Sequence, residues 1–206
     1  MSSHPMRRRM TAFTLVELMI VVALVGVILA LAAPSFRDMI LMQRLRGVNA
    51  QIVTDMQYAR SEAISRGTYV HVKFQATAGA GGMSCYIIFT RPDTSTFPSC
   101  DCTAGAAARC PPPPPAAALS EVRTVQVTNA QSVFVAAPLG EPLEYIIDPR
   151  TGGIVVIPVD SSYSVPGEFN VDAYIDSPRR LRNHVGLSGR PSVCKPSGSI
   201  IAGGAC

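Results

Sequence analysis

Between Phe13 and Ala33 the chain reads FTLVELMIVVALVGVILALAA, 21 residues with a single charge, Glu17. Coiled as an α-helix this run is roughly 31 Å long, close to the hydrocarbon thickness of a bilayer, about 30 Å. Two ordinary explanations compete for such a run. A cleaved secretory signal has a shorter apolar region, about 7–15 residues, although Ala30–Ala33 is small enough to resemble a cleavage site. A plain transmembrane anchor has no use for Glu17, because a carboxylate inside a membrane helix costs on the order of 3 kcal/mol unless it meets a partner. Arg7, Arg8 and Arg9 precede the run and Arg37, Arg44 and Arg46 follow it, so basic residues alone do not set its orientation.

The helical pattern continues past the run. Leu41, Leu45, Val48, Ile52, Met56, Ala59 and Ala63 recur at steps of three and four, an apolar stripe of helical period. Arg44, Arg46, Asn49, Gln51, Asp55, Gln57, Arg60 and Glu62 are assigned to the remaining surface, Pro34 to a kink or loosening, and Arg66-Gly67 to the stop. The reading is one helix from about Phe13 to Arg66. After Gly67 the period changes to two. Val70, Val72 and Phe74 alternate with His71 and Lys73, which places His71 on a solvent side. Further strands are expected at residues 85–90, 122–127, 132–136, 143–147, 154–159 and 169–175. Asp148-Pro-Arg-Thr-Gly-Gly153 is expected to join two of them as a hairpin. The fold class is α+β: a long N-terminal helix packed on a mostly antiparallel sheet.

Composition narrows the function classes. Trp is absent and only 3 His occur, so a His-rich metal centre lacks material. The formal net charge of +4 is unevenly spread: Arg179, Arg180, Arg182, Arg190, Lys195 and His184 stand in a C-terminal stretch, residues 179–206, that contains no acid. No G-x-S-x-G, H-E-x-x-H or Gly-rich phosphate loop is present, and His184 has no nucleophile beside it in sequence. The chain is therefore not read as an enzyme, and no cofactor or metal is expected.

The basic leader, the small residue Ala12, FTLVELM and the long apolar helix together resemble the class III signal of type IV prepilins and type II secretion pseudopilins. Glu17, Gly26 and Pro34 stand where that family carries Glu, Gly and Pro. The resemblance implies that a prepilin peptidase cuts between Ala12 and Phe13 and methylates the new amino group of Phe13. Ala12 replaces the family's usual Gly. Glu17 is then the assembly residue, its carboxylate neutralising the amino terminus of a neighbouring subunit within an apolar bundle. Asp55–Gly67 (DMQYARSEAISRG) and the strand–DPRTG–strand unit resemble the GspH/FimT group of minor pseudopilins and minor pilins. The implied organisation is a leader (1–12), a transmembrane and polymerisation helix (13–34), its amphipathic continuation (35–66) and a periplasmic head (67–206). The implied partners are other minor pilins or pseudopilins, the major pilin, the prepilin peptidase, an inner-membrane assembly platform and inner-membrane lipid. The implied place is the bacterial inner membrane, crossed once, and then the tip of a type IV pilus or type II secretion pseudopilus.

Six cysteines, Cys85, Cys100, Cys102, Cys110, Cys194 and Cys206, all lie beyond the apolar helix, as disulfides in an oxidising compartment would. Six allow fifteen pairings. Cys194–Cys206 is favoured because it ties down a Gly-rich terminus, and Cys85 is paired with one of Cys100, Cys102 or Cys110. Zinc ligation is disfavoured because Cys100-x-Cys102 and Cys110 lack the usual paired spacing. Residues 91–120, with prolines at 111–115, read as a long surface insertion, or as a polyproline ligand for another pilin.

The C-terminal end carries a second resemblance. FimT-type minor pilins of DNA uptake have the motif Gly-Arg-x-Arg-x-Cys, whose arginines contact DNA. Here Gly189, Arg190 and Cys194 match, and Ser192 occupies the second arginine position. Arg179, Arg180, Arg182 and Arg190 are the candidate contacts to double-stranded DNA, since phosphate binding needs charge more than fixed geometry. The competing reading is an Arg-rich strand edge that discourages edge-to-edge pairing. The leader makes a direct prediction: intact mass spectrometry of membrane-extracted protein, from cells with active prepilin peptidase, will show loss of residues 1–12 and a methyl group on Phe13.

Overall fold

One helix, α1 (Leu15–Arg66), contains both the apolar run and the striped segment. The computed structural model describes residues 14–77, 82–95, 98–110, 119–128, 132–156 and 165–206. Thr14 caps α1: its Oγ1 accepts the Glu17 backbone N–H at 3.3 Å, satisfying one of the first-turn donors that have no intrahelical partner. Thr14-Leu-Val-Glu17 is thus a capping-box sequence, and Glu17 also meets the positive end of the helix dipole. The chain remains helical through Pro34, and the Gly67 N–H closes the last turn on the Ala63 carbonyl at 3.0 Å.

The chain forms two compact units, one ending at Ile40 and one comprising Leu41–Cys206. In the first, the large apolar side chains from Leu15 to Ile40 are exposed. This part of α1 is long and apolar enough to cross a membrane, and none of its most apolar stretch is buried by the protein.

Among its described residues the second unit holds ten strands in two antiparallel sheets. The first sheet contains β1 (Tyr69–Ala76), β2 (Met83–Arg91), β3 (Ser120–Thr128), β5 (Glu144–Ile147), β6 (Ile154–Val156) and β7 (Val165–Pro166), in the order β3-β2-β1-β5-β6-β7. The second contains β4 (Phe134–Ala136), β8 (Phe169–Tyr174), β9 (Arg180–Val185) and β10 (Pro191–Cys194), in the order β10-β9-β8-β4. The helix stripe meets both. Leu45, Ile52, Met56, Ala59 and Ala63 share one core with Val70, Val72 and Phe74 of β1 and with Phe169, Val171 and Ala173 of β8. At about 2 kcal/mol per fully buried large aliphatic side chain, Leu45, Ile52 and Met56 contribute substantially to docking of the helix. Phe169 spans the sheets, with ring centroids 5.5 Å from Phe74 and 4.8 Å from Tyr145. The expected single sheet is therefore two, because the chain leaves the first sheet at β4 and returns its last three strands to the second.

Two helix residues assigned to the surface are buried instead. Asp55 is 1% exposed, accepts a hydrogen bond from Tyr86 Oη at 2.6 Å and forms an ion pair with Arg123 Nε at 3.2 Å, joining α1 to β2 and β3. Asn49 Oδ1 accepts from Asn183 Nδ2 at 2.8 Å, joining α1 to β9. A polar residue on the buried stripe is tolerated because each has a hydrogen-bonding partner across the interface.

His71 likewise departs from expectation. It is fully buried, stacked on Phe89 with centroids 5.1 Å apart. Nε2 lies 3.0 Å from the Asp93 carbonyl, to which it donates, and Nδ1 lies 2.6 Å from Glu144 Oε1. The outer face of the first sheet is closed by the cysteine-rich segment. Cys100 and Cys102 pack with Cys85, Ile87 and Phe89 as a second small core, so β2 is buried on both faces. The cysteine-rich segment, expected as a surface insertion, is in its described part a cover. The proline run at 111–115 lies outside the described residues.

The tyrosine hydroxyls give the fold a testable pH dependence. Burial pushes both Tyr86 and Tyr145 well above the ordinary tyrosine value of 10.0, with the Asp55 hydrogen bond adding to the effect at Tyr86. The folded chain keeps protons that the unfolded chain releases, so stability is complete below about pH 10 and falls as pH rises beyond it. Tyr145 Oη is buried with no hydrogen-bond partner among the described residues. Tyr145→Phe is expected to stabilise the protein by about 1 kcal/mol at neutral pH and to flatten the alkaline loss, measured by denaturant unfolding across pH.

Candidate functional site

Three segments singled out in the sequence converge at one place in the second unit. The first is the end of α1. The second is the link Asp148–Gly153 between β5 and β6, whose strands pair Ile147 with Ile154. In that turn the Asp148 carboxylate accepts the Arg150 N–H at 2.7 Å and the Asp148 carbonyl accepts the Gly152 N–H at 2.8 Å. The third is the turn from Gly186 to Arg190 that joins β9 to β10, closed by the Gly189 N–H on the Gly186 carbonyl at 2.8 Å. Arg60 on α1 donates from Nε to the Gly152 carbonyl at 2.9 Å.

Glycine is required twice at this junction. Gly152 has φ +64, and a Cβ there would lie 2.9 Å from Arg60 Nε. Gly189 has φ +72, and its Cβ would lie 2.2 Å from the Gly152 carbonyl oxygen. Only a residue without Cβ meets both demands. Beside the junction is a cleft of about 430 Å³, lined on one side by Gln57, Arg60, Ser61 and Ile64 and on the other by Gly189, Arg190 and Pro191.

The candidate DNA-contacting arginines separate into different environments. Arg182 on β9 makes a two-pronged pair with Asp172 of β8, Nε–Oδ1 2.7 Å and Nη2–Oδ2 2.9 Å, which raises its pKa further above the ordinary arginine value. Arg179 donates from Nε and its backbone N–H to the Asp176 carboxylate, at 2.8 and 3.0 Å, and these bonds hold that carboxyl below its usual range. Arg180 is half-buried beside a second cavity of about 360 Å³ that also includes Asp172 and Asp176. Arg190 is exposed and is the only one of the four on the first cleft. Ser192 donates to the His184 carbonyl at 3.3 Å within the β9–β10 pair. The acids that quench Arg179 and Arg182 precede the acid-free stretch in sequence. Antiparallel pairing of β8 with β9 places Asp172 opposite Arg182, which a reading of local charge missed.

Ala12 and Phe13, the expected cleavage and methylation positions, lie outside the described residues. Glu17 is exposed on the first turn of α1. The cysteines pair as Cys85–Cys102, Cys100–Cys110 and Cys194–Cys206. The last closes the terminus, where Lys195 N donates to the Gly204 carbonyl at 2.8 Å. No described cysteine is free, and no group of three or more His, Cys, Asp or Glu suited to a metal occurs among the described residues.

Two family models match this chain. The prokaryotic N-terminal methylation motif covers residues 7–33, and the type II transport protein GspH model covers residues 49–163, more than half of the sequence. The chain belongs to the GspH family. It is a minor pseudopilin or pilin subunit, and the methylation motif together with its apolar N-terminal helix fits a membrane-anchored one. The GspH match includes Arg60 and the DPRTG turn and ends before Arg179, so it does not extend to the C-terminal arginines or to the Cys194–Cys206 bridge. No curated protein and no solved structure matches the chain. The junction predicts a severe effect for a small change: Gly189→Ala should destabilise this GspH-family head by about 3 kcal/mol, read from its denaturation midpoint, because strain and collision act together.

Proposed function

We propose that the protein is a structural subunit near the tip of a short pilus-like filament of the type II secretion kind. Its leader ends at Ala12, Phe13 becomes the methylated amino terminus, and the helix holds the chain in the inner membrane with the head in the periplasm until assembly. In the filament the exposed apolar helix packs against its counterparts in neighbouring subunits, and Glu17 neutralises the amino terminus of one of them. One observation carries this reading. The N-terminal methylation motif coincides with an apolar helical segment, through Ile40, whose large side chains the protein itself leaves uncovered. Such a surface calls for lipid or other helices, and a carboxylate within it calls for a cation. Catalysis has no part in this reading: the buried His71 is committed to Glu144 and Asp93, and the described cysteines are all in disulfides.

Contact with double-stranded DNA, the alternative suggested by the arginine-rich end, draws its support from the exposed Arg190 and the half-buried Arg180. Duplex affinity grows with the number of phosphates neutralised, and Arg179 and Arg182 already face carboxylates in the head. The ion pairs therefore favour the secretion pseudopilin.

The assembly role is tested by Glu17→Leu in a strain with the other filament components. The variant should insert in the membrane and keep its disulfides while its recovery in sheared or crosslinked filaments falls at least about tenfold. Incorporation at the unsubstituted level would refute the role assigned to Glu17.

A further inference from the structure

The cleft beside the Gly152–Gly189 junction brings two arginines together from different elements. Arg60 and Arg190 both line it, and none of its lining residues is an acid. Arg60 is anchored through Nε to the Gly152 carbonyl. Neither it nor Arg190 has a carboxylate partner among the described residues; Arg180 also lacks one, but it lines a cavity that includes Asp172 and Asp176, whereas this cleft has no acid. The cleft also has aliphatic walls. Ile64, one helical turn beyond Arg60, is 52% exposed, and Pro191 lines the opposite side.

We propose that this cleft is a docking site for an acidic peptide segment of a partner protein, in which a Glu or Asp stands next to an apolar residue. The carboxylate lies between the guanidinium groups of Arg60 and Arg190, and the apolar side chain rests on Ile64 and Pro191. Charge complementarity carries the choice of occupant: two cations without counterions favour an anion, and a guanidinium fixed in place loses little freedom on binding one. A cleft of about 430 Å³ has room for one side chain and its neighbour. The adjacent ion pairs of Asp172 and Asp176 add acids, not free cations, to the C-terminal region, which counts against a phosphate track. The inference goes beyond the filament reading, because it concerns the head alone.

The test uses the full chain, ¹⁵N-labelled in detergent micelles. It is titrated with a capped peptide of alternating Glu and Leu, with the same peptide carrying Gln for Glu, and with a short DNA duplex. The Glu/Leu peptide should move the Ser61, Gly189 and Arg190 amide signals saturably, with a dissociation constant in the range of about 0.1–1 mM. The Gln peptide and the Arg190→Gln variant should each bind about tenfold more weakly, and Ile64→Ser should lose several-fold, as expected for one charge-assisted contact and one apolar one. Unchanged Val72 and Val171 amide signals establish that both variants are folded. The proposal is overturned by equal binding of the Glu and Gln peptides, by an unaffected Arg190→Gln variant, or by absence of shifts up to about 5 mM peptide. It is also overturned if the duplex alone produces the shifts. None of these results depends on filament assembly, so they leave the role of Glu17 to its own experiment.

Discussion

Asp55 is a carboxylate on a helix face that is mostly Leu, Ile, Met and Ala, and the packing of the head depends on how it is satisfied. Tyr86 and Arg123 reach it from adjacent strands of the first sheet, and one turn and a half earlier Asn49 takes a hydrogen bond from Asn183 of the second. A greasy stripe by itself permits a helix to slide or rotate against a sheet. Two buried polar residues with partners on different sheets allow a single register, because any displacement strands a donor or acceptor away from water. With α1 fixed in this way, Arg60 falls beside the Gly152 carbonyl and Ile64 beside the β9–β10 turn.

The same sheet uses its other face differently. A surface sheet of this size would normally present polar residues to water on the side away from the helix. Here β2 contributes Cys85, Ile87 and Phe89 to that side, and a short cysteine-linked segment closes over them. Cys85–Cys102 fastens the cover to the strand and Cys100–Cys110 fastens it to itself. Cross-links of this kind suit a segment too short to bury much apolar area, since they limit the unfolded chain without asking for a larger core. His71 belongs to this second core, and its polar atoms meet Glu144 and Asp93 at the margin of the cover.

Much of the fold was legible from periodicity. The stripe from Leu41 to Ala63, the change to alternation after Gly67 and the hairpin at Asp148–Gly153 all correspond to elements of the structure. The second sheet was less legible. Its strands β4 and β8 fall within expected strands at 132–136 and 169–175, whereas β9 and β10 lie in a segment whose arginines dominate its composition and hid the alternation. Burial of Asp55, Asn49 and His71 was invisible for a different reason: a polar residue is exposed by default, and the partners that reverse the default are distant in sequence.

The N-terminal sequence by itself determined that this chain carries an apolar helix with one carboxylate, and that it shares the methylation motif of pilin-like subunits. Such properties are local, written in consecutive residues and in the cost of placing charge among hydrocarbon. The role of each arginine was decided only by tertiary structure. Arg182 and Arg190 are equivalent as letters, yet strand pairing sets one against Asp172 and the turn beside Gly189 leaves the other on an acid-free cleft. Charge is a property of a residue, whereas neutralisation is a property of its neighbours, and those neighbours are assigned by the fold.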